Sequence, residues 1–399
     1  MNKILPCVVG LGYVGLPVFL ALKKKFKTIG FDNNQLRIKD LKKNIDTNKE
    51  FLNKELKLEN GSIYANDSKY LKECNFYIIS VPTPIKENKL PELKYIKSAI
   101  EMISKYLKKD DIIFLESTVF PGTTDEFCKK ILQKKNINFF IGYSSERINP
   151  GDKIHNIKNI SKVVSINTKN KKVLSCVKKV YNCISNKIIL SKKIKEAELS
   201  KLIENTQRDL NIALMNEIMI LCHKKKLDFH EVIRLAKTKW NFLDFKPGLV
   251  GGHCLPVDPY YLSYYADKSK FKTNVTLAGR KINNYMEHFV FKNVYNELKK
   301  IKEINLKNIV ICGLTYKPNV SDLRNSLAIE IYKKIKQKFL NIKGYDPIID
   351  KKNSNFLKIE NEFNNIKESD IFIFLIMHNK LKKLYTYAKK NNKIIIKPF

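Results

Sequence analysis

A buried strand that runs into three spaced glycines and then into an apolar helix constrains the fold of this chain more than any other feature. The strand is predicted by Ile4-Leu5-Pro6-Cys7-Val8-Val9, the turn by Gly10-x-Gly12-x-x-Gly15, and the helix by the apolar residues up to about Lys25. In this context Gly10 makes the turn, Gly12 lets a pyrophosphate approach backbone N–H groups, and Gly15 allows close helix–strand packing. The pattern predicts a doubly wound α/β sheet with a dinucleotide at the helix N-terminus.

The second strand indicates which dinucleotide binds. Thr28-Ile29-Gly30-Phe31 ends at Asp32, about twenty residues after the glycines. A carboxylate there accepts hydrogen bonds from both ribose hydroxyls and repels a 2′-phosphate, which favours NAD over NADP. The predicted cofactor-binding residues of this region are Gly10, Gly12, Tyr13, Val14, Gly15, Asp32 and Arg37.

Cellular location is indicated by the apolar runs and the cysteines. Residues 4–22 imitate a secretory signal peptide, but the spaced glycines that interrupt them belong to the nucleotide turn. Elsewhere no run approaches the roughly 18 apolar residues that a membrane span needs. The eight cysteines form no CxxC pair and no metal-ligand spacing, which is typical of reduced thiols. We expect a cytoplasmic protein with no metal and no membrane insertion.

The charge of the chain needs a separate explanation. A net charge of +36 over 399 residues suggests nucleic acid as a partner. Arginine, the residue that reads bases best, is rare, and the basic residues are mostly scattered lysines. We interpret the lysine excess mainly as coding bias in an AT-rich genome and expect no nucleic-acid partner. The arginines are Arg37, Arg147, Arg208, Arg234, Arg280 and Arg324.

Two further strands end in small hydroxyl residues. Phe76-Tyr77-Ile78-Ile79-Ser80-Val81 precedes Pro82-Thr83-Pro84, and Ile112-Ile113-Phe114-Leu115 precedes a segment that contains Thr118. Ligands of a doubly wound sheet lie at the carboxyl ends of its strands. Pro82, Thr83 and Thr118 are therefore predicted on the nicotinamide side, although both threonines could instead cap the following helices.

A fourth strand precedes a charged residue. Phe139-Phe140-Ile141-Gly142 leads into Tyr143-Ser144-Ser145 and then Glu146. At the ligand edge of the sheet, Glu146 is the best general-base candidate of this half. The alternative is a surface ion pair between Glu146 and Arg147.

A long helix is predicted in the middle of the chain. From about Lys195 to Lys224 the sequence lacks proline and glycine and keeps a helical apolar period. Such a helix spans about 45 Å, so we expect it to bridge domains and to form a homodimer contact. Lys201 and Asn205 share one face and could stabilise an oxyanion, although a helical lysine in this chain is usually solvated.

A glycine- and proline-rich loop presents one thiol and one carboxylate. Gly248, Gly251 and Gly252 free the backbone for close approach of a ligand, and neighbouring prolines stiffen the segment. Cys254 could attack an electrophilic carbon as a thiolate, and Asp258 could orient a base or a water. The alternative is that Cys254 is a small buried hydrophobic residue.

The last third predicts a second nucleotide fold. Asn308-Ile309-Val310-Ile311-Cys312 is a buried strand followed by Gly313-Leu314-Thr315-Tyr316-Lys317, and further strands follow. Lys317 and Arg324 are placed where a phosphate would bind. The fold prediction is α/β, with two Rossmann-like doubly wound domains joined by a long central helix and a helical spacer domain. The predicted domains are 1–190 (NAD), 191–304 (helical, with the Cys254 loop) and 305–399 (second nucleotide), with the two nucleotides meeting at the thiol.

The chain resembles the nucleoside-diphosphate-sugar 6-dehydrogenases from its first glycine turn to about residue 380. The resemblance rests on Gly10-Leu11-Gly12-Tyr13-Val14-Gly15-Leu16-Pro17, Glu116-Ser117-Thr118-Val119-Phe120-Pro121-Gly122-Thr123-Thr124, Gly251-Gly252-His253-Cys254, and Gly313-Leu314-Thr315-Tyr316-Lys317 with Asp322-Leu323-Arg324-Asn325. Glu146-Arg147-Ile148-Asn149-Pro150-Gly151-Asp152 and Thr238-Lys239-Trp240-Asn241-Phe242-Leu243 resemble the branch that acts on UDP-N-acetylhexosamines for bacterial surface polysaccharides.

The resemblance implies a four-electron oxidation of a sugar C6 hydroxyl with NAD. Cys254 would trap the aldehyde, and water would release the uronate from the resulting thioester. Lys201 and Asn205 would hold the oxygen on C6, and Asp258 would help to position water or a base. Glu146 would serve acid–base steps, and Thr118 would lie beside the nicotinamide. Further binding residues implied for the UDP-sugar are Arg147, Asn149, Arg208, Phe242, Leu243, Gly251, Arg280 and Lys317, and Arg324 is implied for the cofactor.

Two departures from the family pattern carry expectations. Ser145 stands where the family usually has proline, which predicts a looser loop around Glu146. The last strand is expected to be short, ending in Lys397-Pro398-Phe399, with the core reaction intact. The alternatives are a UDP-glucose or UDP-ManNAc 6-dehydrogenase, or a regulatory protein that binds nucleotides without chemistry. A thiol hydrolase is disfavoured because His253 cannot easily fold back onto Cys254.

Overall fold

The first strand and the glycine turn open the larger of two sheets. The structure, a computed structural model, describes residues 3–148, 156–349 and 357–399. The chain divides into a first unit, Met1–Glu204 with Tyr260–Lys272, and a second unit, Asn205–Pro259 with Thr273–Phe399. Each unit contains one of the sheets and is described by itself.

The sheet of the first unit is parallel between all neighbouring strands except one pair, so its last two strands run opposite to the other six. In the order β3-β2-β1-β4-β5-β6-β7-β8 only β7 runs antiparallel to its neighbour β6, and β8 is parallel to β7. The polarity is decisive for the site, because the amino end of β7 lies at the same edge as the carboxyl ends of β5 and β6. The strands are β1 Pro6–Val9, β2 Ile29–Phe31, β3 Ile63–Ala65, β4 Phe76–Ile79, β5 Asp111–Leu115, β6 Phe139–Ser144, β7 Lys162–Ile166 and β8 Ile188–Leu190.

Helices cover both faces of this sheet. Successive residues of a strand point to opposite faces, so Cys7 and Val9 belong to one buried cluster and Val8 to the other. The helices are α1 Gly15–Leu22, α2 Gln35–Lys42, α3 Asn53–Leu56, α4 Lys94–Ser104, α5 Lys129–Gln133 and α6 Lys171–Ile184, with a 3₁₀ helix at Ser68–Glu73 and a π-helix at Thr123–Cys128. Strands buried on both faces explain the nearly continuous apolar runs of the sequence.

The long predicted helix is present. It runs over Ile194–Lys225 as α7, within one residue of the predicted limits at each end, and the boundary between the units falls inside it. Three more helices follow before the second sheet, namely α8 Phe229–Ala236, α9 Asp258–Asp267 and α10 Asn274–Lys299. Among the described residues, no helix combines the length and the apolar character that crossing a membrane requires.

The second unit contains a smaller, fully parallel sheet in the order β11-β10-β9-β12-β13. Its strands are β9 Ile309–Cys312, β10 Ile342–Tyr345, β11 Ile359–Glu360, β12 Ile371–Phe374 and β13 Ile394–Ile396. The described part of this unit also contains the helices α11 Leu327–Lys336 and α12 Leu381–Lys390, with 3₁₀ turns at Ile304–Leu306 and Phe363–Asn365. The predicted α/β class, with two Rossmann-like sheets and a long central helix, is confirmed, while the three domain boundaries stay a prediction.

Candidate active site

The glycine turn has the geometry that a pyrophosphate requires. Gly10 has a φ of +92°, and a Cβ on Gly15 would lie 1.7 Å from the Gly10 carbonyl oxygen, so neither position tolerates a side chain. At Gly12, in contrast, a Cβ would meet nothing within 4 Å, and the residue is exposed. Val14 is the N-cap of α1, and Tyr13 beside it is half-buried. The turn thus leaves open space where the backbone N–H groups begin α1.

Asp32 and Arg37 hold this turn from the side of β2. The Asp32 carboxylate accepts hydrogen bonds from the N–H groups of Leu11 at 2.8 Å and Asn34 at 2.9 Å. Arg37 donates from Nε to the Leu11 carbonyl at 2.9 Å and forms a buried ion pair with Asp46 at 2.8 Å. Asp32 stays half-buried with lone pairs to spare for ribose hydroxyls. The residues present therefore fit NAD, and Arg37 braces the turn.

The nicotinamide candidates lie at the ends of β4 and β5. The Ser117 hydroxyl donates to the Val81 carbonyl at 2.7 Å, which ties the two strand ends together. The Thr83 carbonyl accepts a hydrogen bond from the Tyr261 hydroxyl at 3.1 Å, Thr118 is half-buried, and Pro82 is exposed. Neither threonine caps a helix, because α4 has Leu93 as its N-cap and the π-helix has Gly122.

Glu146 belongs to a buried charged cluster. Its Oε1 accepts the backbone N–H groups of Arg147 at 2.6 Å and Ile148 at 2.8 Å, and its Oε2 accepts Lys162 Nζ at 2.5 Å. The same Nζ donates to Glu116 Oε2 at 2.9 Å. Burial raises the pKa of Glu146, but the attraction of Lys162 and the backbone donors outweigh it and hold this pKa below its ordinary value. The lowered pKa favours the ionised carboxylate of Glu146.

The surface ion pair between Glu146 and Arg147 is not formed. The Arg147 guanidinium instead pairs with Glu204 and donates from NH1 to the Ser161 carbonyl at 3.0 Å. Ser145 is fully buried, and its N–H donates to the Val163 carbonyl at 3.3 Å, a bond that proline could not form. This bond argues against the predicted loosening of the loop. Asn149 lies outside the described residues.

Helix α7 places two of the predicted catalytic residues one turn apart. Lys201 is 8% exposed, and no hydrogen bond or ion pair of its side chain is formed within the described residues, so its ammonium is available to a ligand. Asn205 follows four residues later and donates from Nδ2 to Asp258 Oδ2. Arg208, one turn further, is exposed. The lysine is thus not a solvated one, contrary to the simple alternative.

Cys254 is the one exposed cysteine of the chain, since the other seven also lie in the described residues and are buried. Its carbonyl accepts the N–H groups of Val257 at 3.0 Å and Asp258 at 2.9 Å, so the thiol residue immediately precedes α9. Asp258 is 2% exposed in the first turn of that helix. The buried hydrophobic alternative for Cys254 is therefore wrong, and the thiol and a fixed carboxylate occur on one short segment.

The thiol loop is held at both ends of its glycine segment. The Asn216 carboxamide of α7 accepts the Gly248 N–H at 2.8 Å and donates to the Gly248 carbonyl at 3.1 Å. At Gly252, with a φ of +88°, Asn325 donates to the carbonyl at 3.0 Å, and a Cβ would lie 2.7 Å from the Tyr316 ring. These contacts leave the loop little freedom to move its thiol.

The residues implied for UDP-sugar binding differ in their surroundings. Arg280 is 2% exposed and forms a 2.6 Å ion pair with Asp209. Lys317 is half-buried, with Nζ 5.9 Å from the centre of the Tyr316 ring, and Gly251 packs against the Asn325 carbonyl. Phe242 is half-buried and Leu243 is 59% exposed. Arg280 is thus fixed from within the protein, whereas Leu243 is open to a ligand.

Arg324, implied for the cofactor, lies in the second unit. Its guanidinium is paired with the Asp322 carboxylate at 2.6 Å, and it remains exposed. His253, the neighbour of the thiol, has Nε2 3.8 Å from the same carboxylate, and burial together with Arg324 lowers its pKa. The histidine is thus turned toward Asp322, in agreement with the expectation that it does not serve the thiol.

Sequence reasoning missed several residues that the structure brings into the site. Lys162, Glu204 and Asn216 were not singled out, and Glu116 was noted only as part of a motif. One signal was available for Lys162, because a lysine opens an otherwise apolar strand there. Asn216 likewise interrupts the buried face of α7 as a polar residue.

A pocket of about 670 Å³ in the second unit is not lined by any of the predicted site residues. Its walls are Phe229, His230, Ile233, Arg234, Lys237, Thr238, Asp244, Phe245, Lys246, Pro247 and Phe399. Thr238 and Asp244 flank the segment of Phe242 and Leu243. Cavity size alone therefore does not find the predicted site.

The fold and the glycine turn define an NAD-binding oxidoreductase of the doubly wound α/β type. Comparison with protein families identifies it further: the UDP-glucose/GDP-mannose dehydrogenase family matches with its NAD binding domain at residues 4–185, its central domain at 195–285 and its UDP binding domain at 310–398. The chain belongs to this family. The resemblance seen in the sequence is confirmed, and the protein is an NAD-dependent UDP-sugar dehydrogenase.

Individual relatives cover most of the chain. Protein CapL of Staphylococcus aureus is 44% identical over 381 residues, which are 93% of this chain and 89% of that protein. UDP-N-acetyl-D-glucosamine 6-dehydrogenase of Pseudomonas aeruginosa is 42% identical over 354 residues, 87% and 83% of the two chains. The solved structure of a UDP-D-ManNAc dehydrogenase from Pyrococcus horikoshii superposes with a TM-score of 0.85 at 28% identity and covers 99% of this chain and 95% of its own.

Proposed function

We propose that the protein oxidises the C6 hydroxyl of a UDP-N-acetylhexosamine, UDP-GlcNAc or UDP-GalNAc, to the UDP-uronate with two molecules of NAD. The observation that carries the proposal is the exposed thiol of Cys254, fixed by its carbonyl to the start of α9 and followed there by the buried Asp258. A nucleophile next to an oriented carboxylate is what trapping and then hydrolysing an acyl group requires.

The proposed steps balance in atoms and electrons. Bound NAD supplies the hydride acceptor for C6 in each oxidation. After the first, the Cys254 sulfur forms a bond to the aldehyde carbon and gives a thiohemiacetal. Loss of the second hydride from that carbon, and of the proton of its hydroxyl to solvent, leaves a thioester. Water then forms the new C–O bond, the C–S bond breaks, and the uronate leaves with the thiol restored.

The other residues have the roles that their surroundings support. Lys201, a largely buried lysine whose side chain has no partner in the described residues, and Asn205 hold the oxygen on C6 as its charge develops. Asp258 positions the hydrolytic water. Glu146, kept as a carboxylate, accepts the proton of the C6 hydroxyl, and Thr118 lies beside the nicotinamide.

The choice of sugar is supported by the comparisons and by one sequence segment. A relative that is named for UDP-N-acetyl-D-glucosamine is 42% identical, against 33% for a relative that is named for UDP-N-acetyl-D-mannosamine. The segment with Phe242 and Leu243 presents an exposed apolar side chain to a ligand. UDP-ManNAc is the second candidate because of the structural likeness, and UDP-glucose the third. The similarity to CapL supports a role in capsule or O-antigen synthesis.

Organisation and assembly complete the proposal. Residues 1–190 would bind NAD, 305–399 the UDP group, and 191–304 would form the helical part that carries Cys254. We further propose a homodimer formed through α7. Side chains along this helix, Ile203, Leu214 and Leu221, are each about half exposed at 49–51%, which is typical of an apolar face that another surface covers.

A single assay tests the proposed reaction. The purified protein is incubated with NAD and, separately, with UDP-GlcNAc, UDP-GalNAc, UDP-ManNAc and UDP-glucose, and NADH absorbance is recorded until each sugar is consumed. We expect two NADH per sugar and the highest kcat/KM with a 2-acetamido sugar of the gluco or galacto series. A protein that binds NAD yet yields no NADH with any of the four would be the regulatory alternative, and a preference for UDP-ManNAc would move the protein to that branch.

A further inference from the structure

Three neighbouring strand ends bring together two carboxylates and one ammonium in the first unit. Glu116 follows β5, Glu146 follows β6 after one residue, and Lys162 is the first residue of the antiparallel β7. They are 2%, 7% and 3% exposed. Only the reversed direction of β7 places its first residue at the edge where β5 and β6 end. The arrangement is therefore a product of the sheet topology.

The two carboxylates share the ammonium unequally. Glu146 accepts Lys162 Nζ at 2.5 Å and two backbone N–H groups besides, whereas Glu116 accepts Nζ at 2.9 Å and its Oε1 has no hydrogen bond of ordinary geometry in the described residues. Burial raises the pKa of Glu116, and Glu146 raises it further, although Lys162 opposes both effects. One ammonium thus faces two carboxylates that repel each other in a buried site.

Few other titratable groups face this cluster. Tyr181 approaches from α6, and burial raises the pKa of its hydroxyl well above the ordinary value, so it stays neutral. The Arg147 guanidinium is directed to Glu204 and the Ser161 carbonyl. The charge on Glu146 is therefore held by Lys162 and by the backbone N–H groups of Arg147 and Ile148.

We propose that Lys162 is the positioning residue of Glu146 and that Glu116, which shares the same ammonium but has fewer donors, takes up a proton before Glu146 does, so that Glu146 keeps its charge. This inference rests on the proposed function of Glu146 as the group that accepts the proton from the C6 hydroxyl. Removal of Lys162 leaves Glu146 buried without its cation and favours the protonated form. Glutamine at position 116 mimics protonated Glu116 and leaves the cation to Glu146 alone, as in the pH range in which Glu146 itself titrates.

The test compares the acidic limb of the pH profile of kcat/KM for the UDP-sugar in matched variants. Lys162→Met should move the midpoint of this limb to higher pH by about one unit or more. At a pH one unit below the wild-type midpoint, this shift lowers kcat/KM about tenfold relative to the wild type. Glu116→Gln, which keeps the shape and the neutral charge of protonated Glu116, should leave the limb in place. Lys162→Arg should keep it near the wild-type position.

A control variant separates the cluster from general effects of losing a lysine. Lys158 donates from Nζ to the Cys183 carbonyl at 2.5 Å in the same unit and touches no carboxylate of the cluster. Lys158→Met should leave the limb in place. An unshifted limb in Lys162→Met, or a limb that moves in Glu116→Gln, would overturn the inference; the second variant also decides the matter if the first does not fold.

A readout without turnover keeps this inference distinct from the proposed function. Because the pKa of Glu116 is raised in the folded protein, its ionisation opposes folding. Protonated Glu116 therefore contributes to the free energy of unfolding at low pH, and this contribution is lost as the pH rises through that pKa. The melting temperature of Glu116→Gln should therefore fall less with rising pH than that of the wild type, and that of Lys162→Met should fall more. If the melting temperatures of the variants and the wild type depend on pH in the same way, the inference about the cluster is contradicted. A lack of NADH formation would contradict only the proposed function.

Discussion

Replacing Asn216 with alanine tests whether helix α7 fixes the thiol loop. The Asn216 carboxamide is fully buried and makes three hydrogen bonds: it accepts the Gly248 N–H at 2.8 Å, and it donates to the Gly248 carbonyl at 3.1 Å and to Asn283 Oδ1 at 2.8 Å. Gly248 lies six residues before Cys254 in the segment that carries the thiol. Alanine removes all three bonds and keeps the helix.

The magnitude follows from these bonds. At about 1 kcal/mol net for each, Asn216→Ala should lower the free energy of unfolding of the second unit by about 3 kcal/mol. The Gly248 groups can regain water, but Asn283 Oδ1 is buried and loses a donor. The loop released at Gly248 should misplace Cys254, and displacement of a reacting group by about 1 Å costs up to roughly a hundredfold in rate.

Calorimetry and steady-state kinetics measure these effects together. We expect a lower melting temperature and a fall in kcat of roughly ten- to a hundredfold, with the KM for NAD unchanged because the glycine turn lies in the first unit. The matched control is Asn211→Ala on the same helix, where Nδ2 donates only to the Gln207 carbonyl of its own helix at 2.7 Å. Equal melting temperatures and equal kcat in the two variants would refute the reasoning.

Three further predictions concern other parts of the protein. Burial raises the pKa of Glu198 from 4.5 to about 7. The stability that protonated Glu198 contributes is therefore complete below pH 4.5, and about 3 kcal/mol of it is lost as the pH rises through 7. The melting temperatures at pH 5 and pH 8 should differ less in Glu198→Gln than in the wild type. Trp240 is the one tryptophan and is 91% exposed, so its fluorescence should change when UDP-sugar binds but not with NAD alone. Unchanged fluorescence of an active enzyme at saturating sugar would contradict binding at this loop. Arg280→Met should lower the free energy of unfolding by about 3–5 kcal/mol because it leaves Asp209 buried and unpaired, whereas a pure substrate contact would raise only the KM for the sugar.

The sequence predicts those features that depend on local pattern. The long helix was placed within one residue at each end because apolar spacing and the lack of proline and glycine persist over its whole length. The glycine turn and Asp32 were found because a side chain at Gly10 or Gly15 would clash with the backbone, so that only glycine fits at these spacings. The exposure of Cys254 agrees with a loop rich in glycine and proline, although sequence alone left the buried alternative open.

Contacts between distant segments explain what the sequence did not reveal. Lys162 meets Glu116 and Glu146 only because β7 reverses its direction, and in a chain this rich in lysine its neighbours do not mark it. Asn216 and Gly248 are 32 residues apart, and their pairing depends on how the segment folds back onto α7. Arg147 finds Glu204 across 57 residues. Sequence could propose the chemistry of Glu146, but only the structure shows what holds its charge.

The account depends most directly on the sulfur of Cys254 as the carrier of the sugar carbon. The measurement is mass spectrometry of peptides after an acid quench of the enzyme during turnover with NAD and the preferred UDP-sugar. We predict an added mass of the acyl UDP-sugar on the peptide that contains Cys254, and we predict that Cys254→Ser does not complete the two-NADH oxidation. An unmodified Cys254 peptide, together with two NADH per sugar in Cys254→Ser, would contradict the account.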